Sequence, residues 1–161
     1  MLKTMPELII EPLRPDQIRL LYPLLREQEA KVELDAWISF ARRIIGNPKR
    51  LNEGIIVASW APRRYPCGMV CYRRDNDMEL GSVLTAEHFI AVDLIDPSRV
   101  LMAMAAELDR IAADLGCGAV RSIIHSEDGD LITRLTDAGH RPQALAFFKK
   151  LKDEPTDAPP K

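Results

Sequence analysis

The chain has 161 residues, of which 47% are hydrophobic and 29% are charged, and its formal net charge is -2. This length and composition predict one globular domain with a substantial core, and the small net charge excludes a global attraction to nucleic acid or to an acidic membrane. No apolar run reaches the roughly 18 residues that span a bilayer, and the first ten residues lack a signal-peptide pattern, so a cytoplasmic protein is the default expectation.

The N-terminal third is predicted to contain one strand and two helices. Residues 8–11 form a short apolar strand, and Pro15 then begins a helix with an apolar stripe. Pro23 falls inside that stripe, so we expect a break there and a second helical piece after it. A charged segment at 27–35 leads into a stronger helix, which ends at Gly46 and whose buried stripe comprises Leu34, Trp37, Ile38, Ala41, Ile44 and Ile45.

The middle of the chain is predicted to supply three strands. Residues 54–60 and 66–73 form an antiparallel hairpin around the turn at 61–64, and a polar loop follows at 74–79. The apolar run at 89–95 then indicates a strand, within 86–95, that is covered on both faces. Cys67, Cys71 and Cys117 are odd in number and lack metal-ligand spacing, so we expect reduced thiols and no metal site.

The longest helix begins directly after that central strand. Asp96 is predicted to be its N-cap, Pro97 its first residue and Gly116 its terminator. Its buried stripe comprises Leu101, Met104, Ala105, Leu108, Ile111, Ala112 and Leu115, while charged residues such as Glu107 take the opposite side. A buried strand that runs into the N-terminus of a long helix is typical of α/β proteins that hold anionic cofactors.

The C-terminal part is predicted to close the sheet. Residues 119–125 form a strand parallel to the central one, because a helical crossover joins the two. A short helix at 127–138 ends at Gly139, and residues 144–151 form the last strand. One domain therefore covers residues 1–152, and the charged, proline-rich residues 153–161 are expected to form a disordered tail.

This order of elements resembles the GNAT acyltransferase superfamily over about residues 8–151. Three motifs carry the resemblance: CGMV at 67–70, AADLGC at 112–117 and LTDAGHRP at 135–142. The resemblance implies an α/β (α+β) fold, in which helices flank a mixed, mostly antiparallel sheet. In that sheet, residues 86–95 and 119–125 are adjacent parallel strands.

The resemblance also implies an N-acetyltransferase that uses acetyl-CoA and passes the acyl group directly to an amine. The cofactor site would lie at the central strand and at the head of the following helix, at Val92, Asp93, Leu94, Ser98 and Arg99. Ser98 would donate to the pyrophosphate and Arg99 would pair with a phosphate; alternatively, Arg99 is simply solvated. The acceptor would be a small-molecule or peptide amine, no nucleic acid, membrane or metal is implied, and a homodimer is left open.

Two departures from the family pattern keep a second interpretation open. Residues 96–100, DPSRV, stand where the family has R/Q-x-x-G-x-G/A; Pro97 lacks an N–H, and Asp96 adds a negative charge near the expected phosphates. Leu135 stands where the family often has a tyrosine that protonates the departing thiolate. The alternative is therefore a GNAT-like module that has lost catalysis and binds a ligand or a protein.

Three residues of the central strand are candidate general bases for the amine. These are Glu87, His88 and Asp93, and strand alternation puts Glu87 and Asp93 on one face and His88 on the other. Alternatively, Glu87 and His88 are exposed at the start of the strand and Asp93 bonds to loop amides.

Other ionisable residues are predicted to have structural or solvated roles. The acidic residues of the charged segment could attract a cationic amine, but Arg26 and Lys31 lie among them and favour a solvated face; they are Glu27, Glu29, Glu33 and Asp35. His125 and His140 have no carboxylate or cysteine at metal-ligand spacing, so we interpret both as structural.

Overall fold

The computed structural model describes residues 6–47, 51–62, 65–92, 96–125 and 129–151. In these residues the elements are β1 (Leu8–Pro12), α1 (Ile18–Gln28), α2 (Leu34–Ile45), β2 (Glu53–Trp60), β3 (Tyr65–Asp77), β4 (Gly81–Ala91), α3 (Pro97–Asp114), β5 (Ala119–Ile123) and α4 (Gly129–Asp137). A short 3-10 turn, Pro15–Gln17, precedes α1. In the described part of the chain, no helix is long and apolar enough to cross a bilayer.

The strands form one sheet in the order β1-β2-β3-β4-β5. The first three pairings are antiparallel, and β5 runs parallel to β4 from Val83↔Ala119 to Glu87↔Ile123. The predicted mixed, mostly antiparallel sheet is therefore confirmed, and so is the parallel pairing across the long helix.

Helices cover both faces of this sheet. The α1/α2 face buries Leu21, Trp37 and Met69 in one cluster, whereas the α3 face buries Leu84 and Leu108 in another. The predicted stripes of α2 and α3 are the residues that pack against the sheet. Asp96 caps α3, because its Oδ1 accepts a hydrogen bond from the Arg99 N–H at 3.2 Å.

The predicted break at Pro23 is wrong. Helix α1 continues through Pro23, although proline removes one backbone hydrogen bond from a helix interior. Leu21 and Leu25 are buried on either side of it, while Pro23 and Arg19, the residue four positions before it, are exposed. The lost bond is therefore on the solvent side, where water can satisfy the Arg19 carbonyl, and burial of the apolar face keeps the helix continuous.

The predicted polar loop at 74–79 is largely strand. Strand β3 continues to Asp77 and pairs with β4 down to Asp77↔Gly81, so only a tight turn separates them. Asp77 Oδ1 accepts hydrogen bonds from the N–H groups of Glu79 and Leu80, and Arg74 donates to Ser82 across the hairpin. Polarity indicates exposure here rather than irregular backbone, because residues 74–77 are half-buried or exposed while they pair with β4.

The predicted last strand at 144–151 is also wrong. Residues 141–150 have no regular secondary structure, and Leu145, Phe147, Phe148 and Leu151 are 86–94% exposed. An apolar sequence favours a strand, but a strand forms only where a neighbouring strand pairs with it, and no described strand pairs with this segment. The predicted tail at 153–161 lies outside the described residues, as do the last residues predicted for the central strand.

Candidate active site

A bulge in β4 determines where the candidate bases point. Cys71 pairs with Glu87 and Met69 with Ile90, so two residues of β4, His88 and Phe89, oppose one residue of β3. His88 adopts φ 59°, a left-handed conformation that is uncommon for residues other than glycine. Such conformations persist only where the surrounding structure holds them, and they cluster at functional sites.

The bulge brings Glu87 and His88 to the same face of the sheet. Both side chains lie on the α1/α2 face, whereas Phe89 packs into the cluster beneath α3. The prediction that Glu87 and His88 take opposite faces is therefore wrong, because strand alternation fails where an extra residue is inserted. Asp93, the third candidate base, lies outside the described residues.

His88 is paired with a carboxylate from the end of α1. Glu29 Oε1 lies 2.7 Å from His88 Nδ1, and both side chains are 29% exposed. An ionised carboxylate can only accept a hydrogen bond, so Nδ1 carries the hydrogen of the neutral imidazole. The lone pair is then on Nε2, which makes that nitrogen the basic atom of the pair.

A second layer of polar and charged side chains lies beside this pair. The His125 ring stacks on the His88 ring with centroids 5.5 Å apart, and His125 Nε2 lies 3.3 Å from Glu87 Oε2. Arg73 binds the other oxygen of Glu87 and also Asp75, the latter at 3.2 Å. The interpretation of His125 as purely structural missed this contact with both candidate bases.

Glu87 is held as a carboxylate by these neighbours. Burial acts to raise the pKa of Glu87, but the hydrogen bonds from Arg73 and His125 outweigh it, and the pKa lies below its ordinary value. A carboxylate that is committed to an arginine is a poor base. His88 is therefore the better candidate of the two, and Glu87 is placed to orient His125 and Arg73.

A cavity of about 250 Å³ opens in front of the Glu29–His88 pair, between the two helices and the sheet. Its lining is mostly apolar and comprises Leu25, Val32, Ala36, Trp37, Phe40 and Met69, together with Glu29, His88 and Cys71. Burial, reinforced by the charges of Glu87 and Glu29, raises the pKa of the Cys71 thiol. Cys71 therefore stays protonated at neutral pH and is unsuited to nucleophilic attack.

Beyond the bulge, one edge of β4 is not covered by β5. The last pair is Glu87↔Ile123, yet β4 continues to Ala91. The Val92 N–H donates to the Cys67 carbonyl at 2.7 Å, so the backbone donor of Val92 is already engaged by β3. Successive N–H groups point to opposite edges of a strand, so the Ala91 N–H points toward the uncovered edge.

Solved structures of two acetyltransferases and of a transcriptional regulator have the same arrangement of elements. The aminoglycoside N-acetyltransferase AAC(6')-Iy, solved in complex with CoA, matches with a TM-score of 0.77 and 13% identity, over 94% of this chain and 100% of that chain. AAC(6')-Ih from Acinetobacter baumannii matches at 0.73 and 14%, over 91% and 100%. A transcriptional regulator from Bacillus halodurans C-125 matches at 0.74 and 12%, over 90% and 100%. No protein-family model matches the chain, and no curated protein matches it at a significant level.

The chain has the GNAT fold. At these identities the likeness establishes the arrangement of helices and strands, while chemistry has to be argued from the site itself. Among the residues that the structure describes, no group of three histidine, cysteine or acidic side chains is arranged to hold a metal ion.

The head of α3 is the other predicted cofactor position of the GNAT fold. Asp96 engages the Arg99 N–H, and Pro97 has none to offer, so few of the first-turn donors remain for an anion. The Arg99 guanidinium lies 5.0 Å from the centre of the Trp60 ring, and the residue remains exposed to solvent. Ser98 is half-buried in the same turn, and Asp93 and Leu94 lie outside the described residues.

The position at which the resemblance to GNAT proteins implies a proton-donating tyrosine is part of the core here. Leu135 on α4 is only 4% exposed. His140, shortly after α4, binds Ser122 of β5 through Nδ1 at 3.1 Å, which agrees with the structural role predicted for it. Neither residue supplies a proton donor at the Glu29–His88 pair.

Proposed function

We propose that this protein is an N-acetyltransferase that takes an acetyl group from acetyl-CoA and transfers it directly to a primary amine of a small molecule or peptide. One observation carries the proposal: the bulge of β4 presents a carboxylate-bound imidazole to a cavity, directly beside the strand edge that β5 leaves uncovered. Base, acceptor cavity and strand edge therefore lie within a few residues of one another along β4.

His88 would act as the general base. A primary amine binds mainly as an ammonium at neutral pH and must lose a proton before its nitrogen can form a new bond. Nε2 of His88 would take that proton, while Glu29 holds the ring in the required tautomer and stabilises the imidazolium that results. Overall, the C–S bond of the thioester breaks and a C–N bond forms, while the ammonium nitrogen loses two protons, the first to His88 before attack and the second as the amide forms. The thiolate takes up one of these protons, and the other is released to solvent.

The residues present fit the amide-containing arm of acetyl-CoA better than its pyrophosphate. The cofactor supplies an acetyl thioester, joined to an extended arm that contains amides and ends in a pyrophosphate. Amides of such an arm can pair with an open strand edge, which β4 offers at Ala91. At the other half, Ser98 and the side chain of Arg99 would meet the phosphates, because the Asp96 cap reduces what the helix backbone can give.

A binding experiment tests the cofactor half of this proposal. Asn caps helices about as well as Asp, so Asp96→Asn should preserve the fold and remove the charge that repels the phosphates. At about 6 Å and a dielectric constant near 20 the repulsion is roughly 3 kcal/mol per unit charge before screening by salt. We expect Asp96→Asn to bind acetyl-CoA more tightly by about 1 kcal/mol, and Arg99→Ala to bind it more weakly. Unchanged affinity in both variants would mean that the phosphates lie elsewhere.

An activity experiment tests the transfer itself. Thiol release from acetyl-CoA is followed with a panel of primary amines, and we expect release that depends on the amine. The wild type is compared with His88→Ala and with the Glu87→Gln, His88→Ala double variant. Full activity in the double variant would remove both residues from the mechanism.

A non-catalytic GNAT-like module is the second candidate function. It is favoured by Leu135, which replaces a proton donor with a buried apolar side chain, and by the capped head of α3. A module of this kind would bind acetyl-CoA or another ligand in calorimetry and release no thiol with any amine. Direct transfer is retained as the first candidate because a coenzyme A thiolate can leave without a general acid.

We also propose that the exposed C-terminal segment forms the interface of a homodimer. Phe147 and Phe148 are 94% and 87% exposed in a single chain, which is unusual for adjacent large apolar residues, and β5 is the sheet edge nearest to them in the chain. Light scattering should give the mass of a dimer for the wild type and that of a monomer for Phe147→Ser, Phe148→Ser. Equal masses would remove the segment from any interface.

A further inference from the structure

We propose that the acceptor is a small monoamine with an apolar body, aromatic or alkyl, rather than a polyamine or an amino sugar. The body would occupy the cavity between α1, α2 and the sheet, and the ammonium would meet Glu29 and His88 at its polar end. This inference rests on the proposed function, since it names the substrate class of the same site.

The lining of the cavity favours a ligand with an apolar body. Leu25, Trp37 and Met69 are 1–3% exposed and form its buried part. The polar group of Trp37 is already used, because Nε1 donates to the Ile18 carbonyl at 2.7 Å, so the ring presents only its apolar surface. The hydroxyl groups of a sugar would lose their hydrogen bonds to water here and find few partners in return.

The size of the cavity selects for a small ligand. Its volume of about 250 Å³ is below the ~300–1,000 Å³ of pockets that take drug-sized molecules. Phe40 already makes an edge-on contact with the His88 ring at 6.1 Å, so an aromatic acceptor that reaches His88 would also meet an aromatic wall. A single ring or a short alkyl chain fits this space.

The charges at the cavity select for one ammonium. Among the described residues that line it, Glu29 is the only carboxylate. A carboxylate has lone pairs enough to hold His88 and accept from one ammonium at the same time. Arg43 lies over the ring of the lining residue Phe40 at 5.5 Å, so a positive charge beside that side chain would repel the further ammonium groups of a polycation.

Calorimetry tests binding separately from catalysis. 2-Phenylethylamine is titrated into the full chain with and without CoA, in comparison with spermidine, kanamycin and 2-phenylethanol, which keeps the ring and lacks the ammonium. We expect 2-phenylethylamine to bind at least tenfold more tightly than the other three. Tighter binding of spermidine or kanamycin would overturn the inference, and so would equal binding of 2-phenylethanol, because the ammonium would then contribute nothing.

Two matched variants locate the binding. Glu29→Gln removes the charge that lines the cavity, whereas Glu27→Gln removes the same charge from an exposed position of α1. We expect Glu29→Gln to weaken binding of 2-phenylethylamine tenfold or more and Glu27→Gln to leave it unchanged. Equal effects would mean that the amine responds to the general charge of this region and not to the cavity.

Kinetics then separates this inference from the proposed function. Thiol release with the same amines should give the highest kcat/KM for 2-phenylethylamine. Faster transfer to spermidine or kanamycin would overturn the apolar monoamine and leave the transferase standing. Tight binding of 2-phenylethylamine without release from any amine would instead overturn the transferase and retain the apolar amine site.

Discussion

The two faces of the sheet differ in how completely they are packed. Beneath α3, the side chains of Val100, Met104 and Leu108 are at most 1% exposed and pack into a closed apolar layer. Beneath α1 and α2, the core is interrupted near the β4 bulge by Glu29, His88 and a cavity. The comparison teaches that one strand can contribute to a closed core on one face and to the candidate site on the other.

The largest effect should come from His88, on the polar face. His88→Ala removes the proposed base, so kcat/KM should fall about 10²–10⁴-fold, the usual contribution of general base catalysis. The urea midpoint is measured beside the activity, because His88 also contacts Glu29, Phe40 and His125 and its loss should cost some stability. Activity within about twofold of the wild type would assign the chemistry elsewhere.

A variant of Leu108 tests the packing of the face beneath α3. Leu108→Ala should lower the free energy of unfolding by roughly 2–5 kcal/mol, because it removes a fully packed side chain and leaves a cavity. The control is Glu107→Ala on the outer side of the same helix, which pairs with the exposed Arg110 and should cost about 0.5 kcal/mol or less. Similar urea midpoints for both variants would contradict the assignment of the faces.

Gly68 tests how tightly β3 and α3 are packed. A Cβ at this position would lie 2.8 Å from the Ile90 carbonyl oxygen and 2.8 Å from Val100 Cγ1, so something must move. Gly68→Ala should lower the unfolding free energy by about 1–3 kcal/mol, the usual cost of overpacking. Gly118→Ala is the matched control, because its nearest neighbour is the Leu80 carbonyl oxygen at 3.8 Å. Equal thermal midpoints for the two would show that the sheet yields there.

The pH dependence of Glu87 is the smallest of the expected effects. Its pKa is lower in the folded protein than its ordinary value of 4.5, so the ionised form stabilises the fold above that pH. This contribution is lost as the pH falls through the folded pKa, when protonation removes the charge that Arg73 binds. Glu87→Gln should therefore be less stable than the wild type at pH 7 and equal to it in strong acid. A difference that stays constant in urea unfolding from pH 7 down to pH 3 would rule out this linkage.

The sequence predicts which residues of β4 lie near the candidate site better than it predicts their arrangement. Glu87 and His88 are candidates because they lie on the central strand, and the structure brings both to the cavity side of the sheet. Glu29 is one of several acidic residues in a charged segment, and nothing local separates it from Glu27. Only its contact with His88, 59 residues away in the chain, distinguishes the two.

Signals confined to a few neighbouring residues were sufficient for α2 and α3. Helical stripes depend on positions three and four apart, and the cap of Asp96 on Arg99 spans three residues, so both can be read along the chain. The same holds for the termination of α3 at Gly116, which has a positive φ of 69°. The local amino-acid sequence therefore suffices to predict these two helices and the face that each one buries.

Pairing between distant segments decided the rest. The length of β3, the direction of His88 and the exposure of Phe147 all depend on which strand lies alongside and in what register. A single inserted residue in β4 moves every later side chain of the strand to the opposite face of the sheet. No local sequence pattern indicates that insertion. The helices follow from the sequence by itself, whereas the position of the candidate base follows from the tertiary structure.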